Sequence, residues 1–262
     1  YVVAASILNQ FTAIDPASIL SQTINMVGTT VASFSERYDL PFKFIIIQSD
    51  ELNSFSTPGG FVFLTTGLLK SLMDEAELAA VIGHEIAHVA HRHVKKSAEN
   101  KEKALGGIDT GKMEADLEQA LTKVHQRSDY QGGDSRVLQK EIFQELNFES
   151  ERFLDATLVG GRDYAMEKEA DLWGQYYALK AGYGLDGLST WLKRLLPNNE
   201  AATSSPHRKL TVSDLMKHPQ PADRMAALKQ GLAPYKKWGN SGFRGRERYQ
   251  KNVLDILAHR RN

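Results

Sequence analysis

Apolar residues recur at helical spacing between residues 74 and 96. Residues three or four apart lie on one face of an α-helix, and the apolar positions with this spacing are Leu78, Val81, Ile82, Ile86, Val89 and Ala90. Asp74, with Glu77 three residues later, is a variant of the capping box and predicts the first turn. Lys95 and Lys96 are cations of the kind that favour a helix C-terminus. The pattern therefore predicts a largely buried helix.

The rest of the pattern predicts further helices and two short strands. Residues 1 to about 37 read as helical, with Asp15 as an N-cap and Pro16 at the first helical position. Residues 42–48 and Phe61–Thr65 are apolar runs typical of strands, and we expect them to form a small antiparallel sheet beside the central helix. Further helices are predicted at 66–69, 137–158, 163–181 and 188–196, and after His218. The predicted fold class is α+β and mostly helical.

Composition narrows the class of protein. At 262 residues the chain fits one large domain or two small ones, and we predict a single domain over residues 1–262. The 32 basic and 32 acidic residues balance, so no bulk attraction to nucleic acid is expected. The absence of cysteine excludes disulfides and thiolate metal ligands. No apolar run reaches the roughly 18–20 residues that a transmembrane helix needs.

The central helix carries residues suited to binding a metal. His84 and His88 lie four residues apart, so both imidazoles share one face, and Glu85 lies beside them. Two imidazoles suit Zn²⁺, and a carboxylate next to a zinc-bound water is a natural general base. The alternative is that these histidines have only structural roles. We interpret His91 as an edge residue of the site or a structural residue, and His93 as a structural histidine on the opposite face.

A third ligand is predicted on the helix at residues 163–181. Glu167 and Asp171 lie four apart and share a face, whereas Glu169 points largely away. Glu167 could complete a set of two histidines and one glutamate, and Asp171 could accept the ring N–H of a ligand histidine. The alternative is an ordinary solvated acidic face.

Four blocks of sequence resemble the zinc metallopeptidases of family M48. They are NSFSTPGG from Asn53 with TGLL from Thr66, HEIAHVAHRH from His84, EKEAD from Glu167, and the weaker HPQPADR from His218. Together they span residues 42–228, most of the chain. The resemblance implies a zincin-like core of the gluzincin type. Members that lie in membranes carry transmembrane helices, which this chain lacks.

The family resemblance assigns a role to each candidate residue. One Zn²⁺ per chain would be bound by His84, His88 and Glu167. Glu85 would be the general acid and base, and Asp171 would support a ligand histidine. The resemblance also places His218 and Arg224 on a loop near the cleft, where they could contact the metal or a developing oxyanion.

The implied activity is endoproteolysis of protein or peptide substrates. Substrate would lie extended along an edge strand formed by Phe61, Val62, Phe63 and Leu64. The expected role is quality control of misfolded or unassembled envelope proteins in the periplasm or cell envelope of a bacterium. Because the chain starts at Tyr1 rather than Met, we expect that an N-terminal signal has been removed. The rival interpretation is a zinc-stabilised, chaperone-like binding module whose site is capped by His218.

The C-terminal segment, residues 235–262, is basic. Its cations are Lys236, Lys237, Arg244, Arg246, Arg248, Lys251, Arg260 and Arg261, against Glu247 and Asp255. Two interpretations stay open: a solvated terminal helix, and a basic patch that holds the protein near anionic lipid headgroups or an acidic partner.

Overall fold

The protein is mostly helical, with one small sheet. The structure is a computed structural model that describes residues 4, 7–8, 10–93, 96–97, 163–195, 221–238 and 242–259. Its elements are α1 (Ile19–Ala32), β1 (Lys43–Ile47), β2 (Ser54–Thr57), β3 (Phe61–Thr65), α2 (Thr66–Ser71), α3 (Glu75–Ala90), α4 (Tyr164–Lys180), α5 (Gly187–Leu195), α6 (Pro221–Gly231), a 3₁₀ helix (Ala233–Trp238), α7 (Arg246–Tyr249), a π-helical turn (Gln250–Leu254) and α8 (Asp255–His259). The mostly helical prediction is confirmed. The helix predicted at 137–158 lies outside the described residues.

The sheet is mixed rather than antiparallel. Its strand order is β1-β3-β2, with β1 parallel to β3 and β2 antiparallel to it. We predicted an antiparallel pair from residues 42–48 and Phe61–Thr65, and this pairing was wrong. The pairing differs because residues 54–57, predicted as part of a turn, form the short strand β2. It supplies the antiparallel partner, and β1 then pairs with β3 in parallel.

The predicted edge strand is also wrong. Phe61, Val62, Phe63 and Leu64 belong to β3, which lies in the middle of the sheet with a neighbour on each side. Its backbone groups are therefore used within the sheet and cannot pair with an added peptide. Among the described strands, β2 is the edge strand that contacts α3.

Helix α3 begins where the sequence predicts and ends earlier. The Asp74 carboxylate accepts a hydrogen bond from the Glu77 amide at 3.0 Å, which confirms the predicted cap. At the other end the helix stops at Ala90, before the predicted Lys95 and Lys96. Arg92 adopts a φ of 57°, a left-handed conformation that turns the chain away from the helix axis. His93 consequently lies beyond the helix.

Helix α3 is almost completely buried, since every residue from Glu75 to Val89 lies in the interior. Helices α1, α4 and α5 and strand β2 pack around it. The acidic residues at its N-terminus are buried as well, and each is paired with an arginine. The pairs are Asp74 with Arg244 at 2.6 Å, Glu77 with Arg194 at 2.5 Å, and Glu75 with Arg248. Buried charges need such partners.

Two glycines bring α3 and α4 into direct main-chain contact. A Cβ on Gly174 would lie 2.2 Å from the backbone nitrogen of His84, and a Cβ on Gly83 would lie 2.3 Å from the carbonyl oxygen of Gly174. Both distances are too short for a non-bonded contact, so neither glycine could carry a side chain without moving the backbone. The close approach sets side chains of α4 directly against those of α3.

The remaining described helices follow the predicted order, but the helix predicted over residues 1 to about 37 is wrong in part, because residues 11–18 and 33–37 are not helical. Helix α1 is capped by Ser18, whose side chain accepts from the Ser21 amide, and not by Asp15, which forms a turn with Ala17. Helix α4 is capped by Asp163 and is followed by Gly182 at a φ of 90°, as predicted. No helix in the described part of the chain is both long and apolar enough to cross a membrane.

Candidate metal centre

Three side chains from α3 and α4 converge on one point. The Nε2 atoms of His84 and His88 are 3.0 Å apart. Glu167, in the first turn of α4, places one carboxylate oxygen 3.5 Å from Nε2 of His84 and the other 3.2 Å from Nε2 of His88. All three side chains are buried. They come together because the glycine contact holds the two helices at main-chain distance.

This cluster fits a zinc ion. Ligands at about 2.0–2.1 Å from zinc in tetrahedral geometry lie roughly 3.3 Å from one another. The separations of 3.0, 3.2 and 3.5 Å are close to that value. Two imidazoles and one carboxylate are also a ligand set that zinc enzymes use. His84, His88 and Glu167 could therefore hold one metal ion.

Asp171 lies behind the first histidine. Its Oδ1 atom is 2.7 Å from Nδ1 of His84, the nitrogen that faces away from the cluster. Burial alone would raise the pKa of Asp171, but the charge and hydrogen bonds of Arg224, together with His84, lower it to about 2. The carboxylate is thus ionised and positioned to accept the ring N–H of His84, which fixes the tautomer that leaves Nε2 available.

Arg224 lies on α6 and not on a loop. Its Nε donates to Asp171 at 2.9 Å and its Nη2 donates at 2.5 Å, a bidentate ion pair that is buried on both sides. Burial lowers the pKa of Arg224, but the adjacent Asp171 carboxylate outweighs it and the pKa is raised above its usual range. The guanidinium supports Asp171 from behind. His218 lies outside the described residues.

Glu85 is held by two serines that the sequence analysis did not select. Ser54 donates to Oε1 of Glu85 at 2.9 Å, and Ser56 donates to Oε2 at 3.0 Å. Both serines are on β2, and Phe55 between them stacks on Phe63 with ring centroids 5.1 Å apart. The sequence pattern that could have identified them is the polar, apolar, polar alternation at Ser54, Phe55 and Ser56. Such an alternation is typical of a strand with one polar face.

A second cluster adjoins the first. The Nδ1 atoms of His93 and His88 are 2.9 Å apart, and Nε2 of His93 is 3.3 Å from Glu169. His91 places its Nδ1 2.7 Å from the other oxygen of Glu169. The interpretation of His93 as a residue on the opposite face was wrong, because the chain leaves the helix at Ala90 and turns back beneath His88.

A cavity of about 260 Å³ lies beside His88. Its remaining lining residues are Arg37, Leu40, Pro58, Gly59, Val89 and Arg92. Arg37, which pairs with Asp39 at 3.5 Å, and Arg92 lie on its wall together with the residues after β2. It offers space for one side chain next to the histidine cluster.

Comparisons with known proteins identify chains that are similar to this one. Over 214 residues the chain is 28% identical to the beta-barrel assembly-enhancing protease of Escherichia coli (strain K12), covering 79% of this chain and 38% of that protein. A stretch of 53 residues is 42% identical to the mitochondrial metalloendopeptidase OMA1 of Bos taurus, covering 20% of this chain and 10% of that one. The crystal structure of S. mikatae Ste24p is 17% identical with a TM-score of 0.39, and the match covers 87% of this chain and 55% of that one.

The family model described as Peptidase family M48 matches residues 18–231, which include α3, α4 and α6. The chain spans 38% of the length of the Escherichia coli relative. The sequence blocks around Asn53, His84 and Glu167 predicted the same family, and the prediction is confirmed. The chain belongs to peptidase family M48.

Proposed function

We propose that this protein is a zinc-dependent endopeptidase in which His84, His88 and Glu167 hold one Zn²⁺. The observation that carries the proposal is the buried convergence of these three side chains at separations of 3.0 to 3.5 Å. Glu85 lies on α3 with the two histidines and is positioned by two hydrogen bonds. The family match and the protease names of the relatives support the same reaction class.

Each residue has a defined part in the proposed reaction. A zinc ion held by His84, His88 and Glu167 would supply Lewis acidity and a bound water whose pKa is lowered toward neutrality. Glu85 accepts the proton of the attacking water and later delivers it to the leaving amine. Ser54 and Ser56 hold the Glu85 carboxylate in one orientation through both of its oxygens. Asp171 keeps His84 in the tautomer that presents Nε2.

Strand β2 is the better candidate for substrate binding now that β3 is known to be central. The Asn53 carbonyl accepts from the Thr65 amide at 3.1 Å, and hydrogen-bonded positions alternate along an antiparallel pair. The main-chain groups of Ser56 therefore point away from β3, toward the side where a peptide could add as a further strand. Ser56 is buried, so such binding requires the surrounding groups to move.

The substrate class follows from this mode of binding. Recognition through main-chain hydrogen bonds reads an extended backbone and not a particular side chain, which suits misfolded or unassembled proteins. The cavity beside His88 would take one substrate side chain. A role in quality control of envelope proteins, in the periplasm or cell envelope of a bacterium, is proposed by analogy with the beta-barrel assembly-enhancing protease.

One observation favours a second candidate, a zinc-stabilised binding module with a capped site. Glu85, His88 and Glu167 are each fully buried, which is the state expected of a site closed to substrate. Both candidates bind zinc, and only the first hydrolyses peptide bonds.

Cleavage of unfolded casein, measured together with zinc content, separates the two candidates. We expect the wild type to contain one zinc and to cleave, and Glu85→Gln to contain one zinc without cleaving, because an amide cannot accept the proton. Glu247→Gln, at an exposed position on α7, is the matched control and should behave as wild type. Glu167→Gln should lose zinc to a chelator more readily. A wild type that holds zinc and never cleaves would favour the binding module, and a wild type without zinc would refute both.

A further inference from the structure

The two ligand histidines are supported by different partners. Nδ1 of His84 faces the Asp171 carboxylate at 2.7 Å. Nδ1 of His88 faces a third imidazole, that of His93, at 2.9 Å. His93 is fully buried, and its other nitrogen is 3.3 Å from the Glu169 carboxylate. The second ligand is thus connected to a carboxylate through an intervening histidine.

The positions of the protons follow from these contacts. A neutral histidine that coordinates metal through Nε2 carries its proton on Nδ1. His88 in that state donates from Nδ1, so Nδ1 of His93 must accept. His93 then carries its proton on Nε2 and donates it to Glu169. With this assignment, each hydrogen bond from His88 to His93 and from His93 to Glu169 has one donor and one acceptor.

We propose that His93 and Glu169 are positioning residues that hold His88 in its zinc-binding tautomer and orientation. The inference rests on the proposed zinc site. In this proposal His93 and Glu169 do for His88 what Asp171 does for His84. The difference is that the carboxylate of Glu169 acts on His88 through His93, whereas the carboxylate of Asp171 contacts His84 directly. Hydrogen-bond partners of this kind change metal affinity by roughly 10–100-fold when they are removed.

The backbone explains how His93 reaches His88. Helix α3 ends at Ala90, and the left-handed conformation of Arg92 reverses the chain. His93 then returns beneath the last turn. Glu169 reaches it from α4, where it lies two residues from Glu167 and contacts the residues that follow α3.

The same residues could instead form a second metal site. Donor atoms of His91, His93 and Glu169 lie within 4.8 Å of one another. Metal binding there needs a bare Nε2 on His93, which moves its proton to Nδ1. Two N–H groups would then face each other across the 2.9 Å contact with His88. Filling the second site is therefore incompatible with His88 in its zinc-binding tautomer, and one zinc per chain is expected.

Glu169 is suited to receive the final hydrogen bond. Its Oε2 atom lies 3.3 Å from Nε2 of His93, while its Oε1 atom contacts His91. His91 shares the carboxylate at 2.7 Å and reaches Tyr177 with its other nitrogen at 3.3 Å. It has the same neighbour as His93 but no contact of this kind with a proposed ligand, so it provides a matched control.

The test compares zinc affinity by chelator competition in the wild type and four variants. His93→Leu removes the acceptor, and we expect affinity to fall about 10–100-fold. His93→Asn places an oxygen near the position of Nδ1 and should restore most of the loss. Glu169→Gln keeps a hydrogen-bond acceptor without the charge and should lose less than His93→Leu. His91→Leu is the same substitution two residues earlier. Its zinc affinity should stay within about 3-fold of wild type, a smaller change than the loss of a hydrogen-bond partner of a ligand causes.

Two further measurements make the result decisive. The unfolding temperature of each zinc-free variant reports whether the substitution has damaged the fold, and zinc per chain reports a second site. The proposal is overturned if His93→Leu binds zinc as wild type does, or if His91→Leu weakens binding equally. A second zinc that disappears in His93→Leu would also overturn it. A wild type that binds no zinc would refute the proposed function instead, so the two failures are distinguishable.

Discussion

At the scale of single residues, the strongest constraint in the site is the buried pair of Asp171 and Arg224. Both side chains are almost completely buried, and the guanidinium makes two hydrogen bonds to the carboxylate. Arg224→Gln would leave the Asp171 charge buried without compensation. We expect the free energy of unfolding to fall by about 3–5 kcal/mol, measured by denaturant titration of the zinc-free protein. Arg246→Gln, an exposed arginine on α7, is the control. Equal stability of the two variants would contradict this account.

The same pair predicts a dependence of stability on pH. The pKa of Asp171 is lowered to about 2 in the folded state, whereas an unfolded aspartate titrates near 3.9. A lowered pKa contributes stability above the unfolded value, and that contribution is lost as pH falls from about 4 to about 2. It amounts to roughly 2–3 kcal/mol. The stability difference between wild type and Asp171→Asn should therefore shrink between pH 5 and pH 3 in denaturant titrations. A difference that stays constant over this range would be inconsistent with the lowered pKa.

Sequence reasoning reached some of these residues and missed others for a physical reason. Glu167 and Asp171 could be paired because helical spacing sets them on one face, and the structure places both beside His84. His93 could not be placed, since its position depends on where α3 ends and on the left-handed turn at Arg92. Neither feature is marked by a glycine or proline. The pattern after His218 predicts a helix that carries Arg224, which α6 confirms, whereas the family resemblance placed Arg224 on a loop. Its contact with Asp171 joins residues 53 apart in sequence, so no local pattern could predict it.

At the scale of elements, the site depends on the distance between α3 and α4. Gly174 lies against the backbone of His84, and any side chain at this position would force the helices apart. We expect Gly174→Ala to lower zinc affinity by at least about 10-fold, because a shift of a few tenths of an ångström in a packed interior is costly and misplaces Glu167.

Zinc affinity of Gly174→Ala is best compared with that of Lys168→Ala, which changes an exposed residue of the same helix. Gly83→Ala tests the contact from the other side, since its Cβ would meet the carbonyl oxygen of Gly174 at 2.3 Å. If both glycine variants bind zinc as tightly as Lys168→Ala does, main-chain contact between the helices is not what assembles the site.

The sheet shows why strand pairing was harder to predict than helix positions. Helices α3, α4, α5 and α6 were found because each has local caps or periodicity over many residues. Strand β2 has only four residues, of which three are hydroxyl-bearing, so its composition resembles that of a turn. Its identity as a strand is set by pairing with β3 and by hydrogen bonds to Glu85, both of which are tertiary contacts.

At the scale of the whole molecule, the basic C-terminal segment is attached to the helix that carries the site. Arg244 contacts Asp74 and Asp186, and Arg248 contacts Glu75, so two of its cations are used inside the protein. These contacts offset the buried acidic groups that begin α3. The exposed cations of the segment within the described residues include Lys236, Arg246 and Lys251. Lipid-binding clusters usually contain about 4–8 cations. We therefore expect the segment to act mainly as a support for α3.

Two arginines of the short helix α7, Arg246 and Arg248, distinguish support of α3 from lipid binding. Arg248→Gln leaves the buried Glu75 without its ion pair, and the free energy of unfolding should fall by about 1–3 kcal/mol. Arg246→Gln removes the same charge from an exposed position and should leave stability unchanged. Cosedimentation with anionic vesicles at low and high salt measures lipid binding in the same variants. Salt-sensitive binding that both substitutions weaken equally, with no difference in stability between them, would show that the segment serves a membrane surface and not the helix of the site.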